Sequence, residues 1–281
     1  MDIPAAIFVS YSLSNFAFWK NAKMGWKALS KTKHYGKALS FERNYSFAKK
    51  VPFVPIFNFE LQAAVSVIPI MFGRSKDGIQ LFGMLGLQKD RNLFVDKSGG
   101  WEIQFVPAAF QSFPFRIGEL ESGDKTLLFL EDSDLIVDRE KGYPLFNENS
   151  ELEPITKDIA RLLSQMMHSE LLIKQSCSLL EKFNLFEPFK FGLQKNDEPD
   201  SHSNSLLKIN VNAFRNLGEE KFLELRKTSA IDIAYAHFYS MNCLNGLLRI
   251  LNLKERADSH LKDLGSKIFE AEEKELDFNF T

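Results

Sequence analysis

The chain has 281 residues, 44% of them hydrophobic and 26% charged, close to globular averages, which excludes collagen-like, low-complexity and wholly disordered chains. Its 35 Lys+Arg against 37 Asp+Glu leave a formal charge of −2, and this removes the global electrostatic footprint of a duplex-DNA binder. The length is enough for one large domain or two small ones with a real core.

Phenylalanine dominates the aromatics, with 27 Phe against 3 Trp and 6 Tyr. A ring without a hydroxyl or indole N–H packs without needing a hydrogen-bond partner, so core filling is the first reading and an apolar binding groove the second.

Residues 1–45 read as a partly extended arm in which Ser, Lys and Asn interrupt Phe8, Tyr11, Phe16, Phe18, Trp19 and Trp26. Met1 to Ser10 carries neither a basic n-region nor a small-residue cleavage site, so no secretory signal is expected. A cytoplasmic location follows as the expectation, with the cell surface as the alternative. Lys20, Lys23, Lys27, Lys31, Lys33 and Lys37 interleave with Trp26 and Tyr35; a solvated face explains them more simply than a nucleic-acid patch with stacking rings.

Residues 46–150 consist of short apolar runs separated by Gly, Pro, Asp and Asn: Val51–Phe59, Val67–Phe72, Leu81–Leu87, Trp101–Phe105, Phe113–Leu120 and Thr126–Leu130. Ser75-Lys-Asp77-Gly78 and Asp96-Lys-Ser98-Gly99-Gly100 supply residues that accept positive φ, which predicts hairpins there. Pro52, Pro55, Pro69, Pro107 and Pro114 cannot donate to a ladder and belong at strand starts, edges or bulges. A bent antiparallel sheet is predicted. The best apolar run, Leu61 to Phe72, contains Gln62, Ser66 and Pro69, too short and too broken to span a bilayer.

Over 154–187 the period changes to three and four, behind Pro154, which predicts one long amphipathic helix. Phe189, Phe191 and Leu193 then alternate like a strand, Lys195 to Asn204 is a polar loop, and Leu207, Ile209 and Val211 form the returning arm of a second hairpin. Asn212 is read as the cap of a helix over Ala213 to Leu217. Gly218 to Arg226 opens another helix with carboxylates in its first turn, and Ala230 to Leu253 forms a single further helix that packs on the long one. Residues 254–281 are a charged tail. The predicted class is α+β, organised as an arm over 1–45, a domain over 46–253 and the tail.

The five histidines, His34, His168, His202, His237 and His260, show no metal spacing, and no metal or cofactor is expected. Gly83-Met-Leu-Gly86 lacks the third glycine of a dinucleotide fingerprint. The acidic group Glu131-Asp-Ser-Asp134 with Asp138 and Glu140 lacks the alternation of an EF-hand loop and reads as a solvated turn. Cys177 and Cys243 lie in helix-like patterns and are read as buried thiols in a reducing compartment. Asp96, Trp101 and Arg116 fall around the predicted hairpins and frame a candidate ligand pocket, Trp for stacking, Arg for an anion and Asp for a donor or cation; an ordinary turn with a packed Trp is the alternative. In Tyr235-Ala-His237-Phe-Tyr239 the histidine is flanked by aromatics, which suits either a site or a satisfied core histidine. Tyr235, His237 and Arg226 complete the candidate set, and no catalytic residue is assigned.

Phe47-Ala-Lys-Lys-Val-Pro-Phe-Val-Pro55, Leu85-Gly-Leu-Gln-Lys-Asp-Arg-Asn-Leu-Phe-Val-Asp96, Trp101 through Phe105-Val-Pro107, Phe113-Pro-Phe115, Tyr143-Pro-Leu-Phe146, Leu185-Phe-Glu-Pro188 and Phe222-Leu-Glu-Leu-Arg226 through Tyr235-Ala-His-Phe238 resemble, in that order, the bacterial SapC family over about residues 40–250. The resemblance implies an association with bacterial surface layers and with genes beside tryptophan-halogenase-like flavoproteins and outer-membrane receptors. It brings no catalytic mechanism and no site residues. The expectation is a non-enzymatic binding or accessory protein engaging a peptide, a protein or a small apolar ligand through an aromatic-rich surface. The alternatives are an enzyme acting on a peptide or amino-acid derivative, with His237, Arg226 and Arg116 as base and anion clamps, and a structural surface-layer component.

Overall fold

Prolines and glycines divide the first half of the chain into short strands, and the second half is mostly helix. The computed structural model describes residues 25–75, 78–119, 125–189 and 206–275. Its first half runs β1 (Trp26–Ala28), β2 (Lys37–Ser40), β3 (Phe53–Pro55), α1 (Leu61–Ala64), β4 (Ile70–Ser75), β5 (Gly78–Met84), α2 (Ala108–Gln111), β6 (Phe115–Glu119), β7 (Lys125–Leu130), β8 (Ile136–Asp138) and β9 (Gly142–Pro144). There follow α3 (Pro154–Lys182), β10 (Phe186–Pro188), β11 (Leu206–Ile209), α4 (Val211–Arg215), α5 (Glu219–Arg226), α6 (Ala230–Ser240) and α7 (Cys243–Glu275).

Among the described residues the strands form three sheets, ordered β1-β7-β6, β8-β2-β9 and β10-β11-β4-β5-β3, and their pairings are antiparallel. The architecture is α+β, with the predicted bent sheet divided into three small ones. Ser75 pairs with Gly78 to close the β4–β5 hairpin, and Gly78 has φ +111°, which a side chain would resist.

Several predicted strands are shorter than their apolar runs. Within Val51–Phe59 only β3 pairs, because Pro52 and Pro55 cannot donate and the chain then coils into a 3₁₀ turn over Asn58–Glu60. Val67 and Ile68 return their N–H groups to the Ala64 carbonyl, so β4 starts only after Pro69. Trp101 makes a single bridge to Val95 and no strand continues to Phe105, whose carbonyl instead accepts from the Trp101 indole at 2.9 Å.

α3 forms as the periodicity predicts. Pro154 starts it where its missing N–H costs nothing, and Ile159, Leu163, Met166, Ile173, Cys177 and Leu180 make the buried stripe. It ends at Lys182 rather than 187 because Asn184 adopts φ +55° and the Leu185 N–H returns to the Leu180 carbonyl at 3.1 Å, a left-handed helix stop. Twenty-nine residues give a rod of about 43 Å. It packs on β5, β6, α2, the Asn58–Glu60 turn, α5 and α6, and so joins sheets to helices. Phe57, Phe72, Phe110, Phe115 and Phe129 are among the largest side chains fully buried in this core.

Residues 25–45 are not a separate arm: β1 pairs with β7 and β2 is the middle strand of its sheet, with Ala38 and Leu39 buried. The basic stretch finds its counter-charges in the acidic turn, where Lys27 pairs with Glu131 and Lys37 with Asp138. Residues 1–24 and the polar loop over 195–204 lie outside the described residues, as does the alternation at Phe191 and Leu193. The cap of α4 is Asn210, not Asn212, and its side chain accepts from Ala213 N–H at 2.8 Å. The single helix predicted over 230–253 is two, interrupted at Met241 and Asn242, and the second continues helical past 253 to Glu275.

Candidate functional site

The β11–β4 register sets Leu207 against Phe72, which would bring Ile209 opposite Ile70 two residues along. No direct bond joins these two. The Ile209 N–H donates to His237 Nε2 at 3.3 Å, and His237 Nδ1 lies 2.7 Å from the Ile70 carbonyl. Since Nε2 accepts, the proton sits on Nδ1, and the neutral imidazole relays the missing ladder bond. Ser240, one turn further along α6, accepts from the Ile70 N–H at 2.9 Å and donates to the His237 carbonyl at 2.9 Å. Two side chains of α6 thus take the place of a strand where β11 and β4 diverge. His237 is 2% exposed, lies against the Phe72 and Phe238 rings, and burial lowers its pKa from the usual histidine value. This is the satisfied core histidine of the two readings.

The other face of α6 carries aromatic surface. Tyr235 and Tyr239, one turn apart, stack at 5.9 Å and are 42% and 64% exposed. Beneath them Phe214 meets Tyr235 at 5.9 Å and Phe238 at 5.4 Å, both edge-on, and Phe222 closes the cluster at 6.3 Å from Phe214. Exposed Val211 and Leu223 from α4 and α5 extend the apolar character of this end of the fold. Phenylalanine contrasts with tyrosine: of the residues whose exposure is described, four of five tyrosines, Tyr35, Tyr143, Tyr235 and Tyr239, are exposed, and Phe41 and Phe59 are the exposed phenylalanines. Among the residues whose exposure is described, exposed tyrosines therefore outnumber exposed phenylalanines four to two.

The remaining candidates sit elsewhere. Asp96 and Trp101 share one turn: the Asp96 carboxylate accepts from the Ser98 hydroxyl at 2.6 Å and from Gly100 N–H at 2.8 Å, and these bonds hold its pKa below the usual carboxylate value. Trp101 is packed against Tyr45, Phe94 and Phe110. Arg116 projects from β6 with its guanidinium 4.4 Å from the Trp26 ring centre, and burial lowers its pKa to about 10, which leaves it a cation at neutral pH. Arg226 is exposed in the last turn of α5. Asp96 and Trp101 come together, as do Tyr235 and His237 on one helix with opposite exposures; Arg116 stands on β6 against Trp26.

Sequence reasoning missed Ser240 and Tyr239 as partners of these residues, although their spacings of three and four from His237 and Tyr235 were the available signal. It also missed Glu60, which is buried. Glu60 Oε1 accepts from Phe57 N–H at 2.9 Å and Oε2 from Ala108 N–H at 2.8 Å, and burial, opposed by these two bonds, pushes its pKa up to about 7. Asn58 donates its N–H to Ser169 of α3 at 2.7 Å and its amide to Ser229 at 3.0 Å, so the turn is tied to α2, α3 and the start of α6. No signal in a single sequence marks Glu60 as buried.

Cys177 is buried, with its thiol pushed up to about 12 by desolvation, and Cys243 is half-buried with its thiol against the Val65 carbonyl at 3.4 Å. Among the described residues no group of three or more His, Cys, Asp or Glu side chains is placed to hold a metal ion, and no described helix is long and apolar enough to cross a membrane.

The SapC family model matches residues 29–247, starting ahead of the expected boundary near 40 and taking in the whole of β2. Neither a curated protein nor a solved structure matches the chain. With the match covering most of its length, the chain belongs to the SapC family.

Proposed function

We propose that this SapC-family chain is a non-catalytic binding or accessory protein that engages a protein or peptide on the Tyr235–Tyr239 ledge of α6. The observation that carries this reading is the exposed, stacked tyrosine pair resting on a packed bed of phenylalanine. Such rings offer a large amphipathic contact area at low entropic cost, since two χ angles fix them and the rings beneath hold them. The rival enzyme needs His237, Arg226 and Arg116 to converge. Instead His237 spends both ring nitrogens on backbone groups of β4 and β11, Arg226 is exposed on α5, and Arg116 lies on β6 against Trp26.

A photo-crosslinking aromatic residue introduced at position 239 in the source cells tests the reading, with position 171 as control because Leu171 is equally exposed on α3. The expected result is a discrete adduct with one protein or peptide from 239, absent from 171 and lost when Tyr235→Ser is added. Indiscriminate adducts at both positions, or none at 239, would overturn it.

A further inference from the structure

We infer that His237 is an acid-operated latch: when its imidazole takes up a second proton, the relay between Ile209 and Ile70 breaks and the β10–β11 hairpin loosens from β4. The geometry requires this. The relay works only while Nε2 presents a lone pair to the Ile209 N–H. A proton on Nε2 sets donor against donor at that position, while the Nδ1–H bond to the Ile70 carbonyl survives. Among the described residues the hairpin has little else of its kind to hold it: β11 pairs directly with β4 at Leu206 and Leu207.

The surrounding charges work in the same direction. Lys208, next to Ile209 on β11, opposes a second positive charge, and its own partner, Glu187 of β10 at 3.0 Å, already engages it. Arg74 of β4 is paired with Glu181 of α3 at 2.5 Å, and Glu224 of α5 with Lys182 at 3.0 Å. Cys177 of α3 stays a neutral thiol, Asp232 and Arg226 are exposed on α6 and α5, and α1 carries no ionisable side chain. No carboxylate among these residues is bonded to the imidazole to stabilise an imidazolium. Uptake of one proton per opening event makes the opening equilibrium rise up to tenfold per pH unit below the unfolded histidine value of about 6.5.

Hydrogen exchange resolved at single amides, recorded from pH 7.5 to 5 and expressed as protection factors, tests the latch on the intact chain. Protection at Ile209 is expected to fall by up to tenfold per pH unit below pH 6.5 while Met71, whose register partner in the β4–β5 ladder is Phe82, holds, and His237→Gln, which does not titrate, is expected to flatten the fall. Should that variant not fold, the imidazole nitrogen spectrum of the wild-type chain supplies the same test: the Nδ1–H neutral tautomer at pH 7.5, converting in step with the loss of Ile209 protection. Protection at Ile209 that ignores pH, a fall that His237→Gln leaves intact, or the opposite tautomer would overturn the inference.

Discussion

Glu60 and Ala108 are 48 positions apart in the chain, and a buried carboxylate joins them: Glu60 Oε2 accepts the Ala108 N–H at 2.8 Å where α2 begins, while Oε1 closes the 3₁₀ turn on Phe57. The side chain trades one unfavourable term, desolvation, for two satisfied backbone donors. Removing it as Glu60→Ala strands both N–H groups, and the expected loss is about 3 kcal/mol or more, measured by urea unfolding.

The same carboxylate makes stability depend on pH in a direction opposite to ordinary acid denaturation. Its folded pKa of about 7 lies above the unfolded 4.5, so the folded state holds the proton more tightly. That contribution is complete below pH 4.5 and is lost as pH rises through 7, an effect on the order of 3 kcal/mol. Glu60→Gln is expected to flatten the pH profile over this window. A wild-type-like slope in the variant would contradict the assignment.

Ser240 holds the Ile70 N–H beside the histidine relay. Ser240→Ala leaves that donor buried without its acceptor and is expected to cost about 1–3 kcal/mol. His237→Phe leaves both the Ile209 N–H and the Ile70 carbonyl unmet and is expected to cost more than Ser240→Ala in the same unfolding measurement.

α7 is fastened by two kinds of contact whose magnitudes differ. Lys254–Glu102, Arg91–Asp258 and Lys97–Asp258 are ion pairs near the surface, worth about 0–1 kcal/mol each, while Leu247 and Leu251 are buried. Leu251→Ala is therefore expected to destabilise by about 2–4 kcal/mol and to speed proteolysis within α7, whereas Asp258→Ala changes both little.

Gly99 sits at φ +96°, and a Cβ there would lie 2.3 Å from Asn44 Oδ1 and 2.5 Å from Ser46 Oγ. Gly99→Ala is expected to cost about 1–3 kcal/mol through backbone strain and displacement of the Asn44–Ser98 contact. Thermal unfolding measures it.

What the sequence revealed and what it hid follow from the range of the forces involved. The period of α3, the Ser75–Gly78 turn and the Asp96–Gly100 turn are local, and local spacing announced them. The stop at Asn184, the break at Met241 and the division into three sheets depend on contacts between distant segments, which periodicity does not report. At the candidate site the residue types at Tyr235 and His237 were visible, but which of them faces water was decided by α6 meeting β4 and β11. Trp101 and Arg116 were chosen for their chemistry, and tertiary packing put one among Tyr45, Phe94 and Phe110 and the other against Trp26.

Native mass spectrometry of the protein isolated from its own cells, wild type beside Tyr235→Ser/Tyr239→Ser, tests the central claim most directly. The account predicts a peptide or protein retained by the wild type and lost from an equally stable double variant. A bound partner retained equally by both, or a small molecule held in place of a polypeptide, would contradict it.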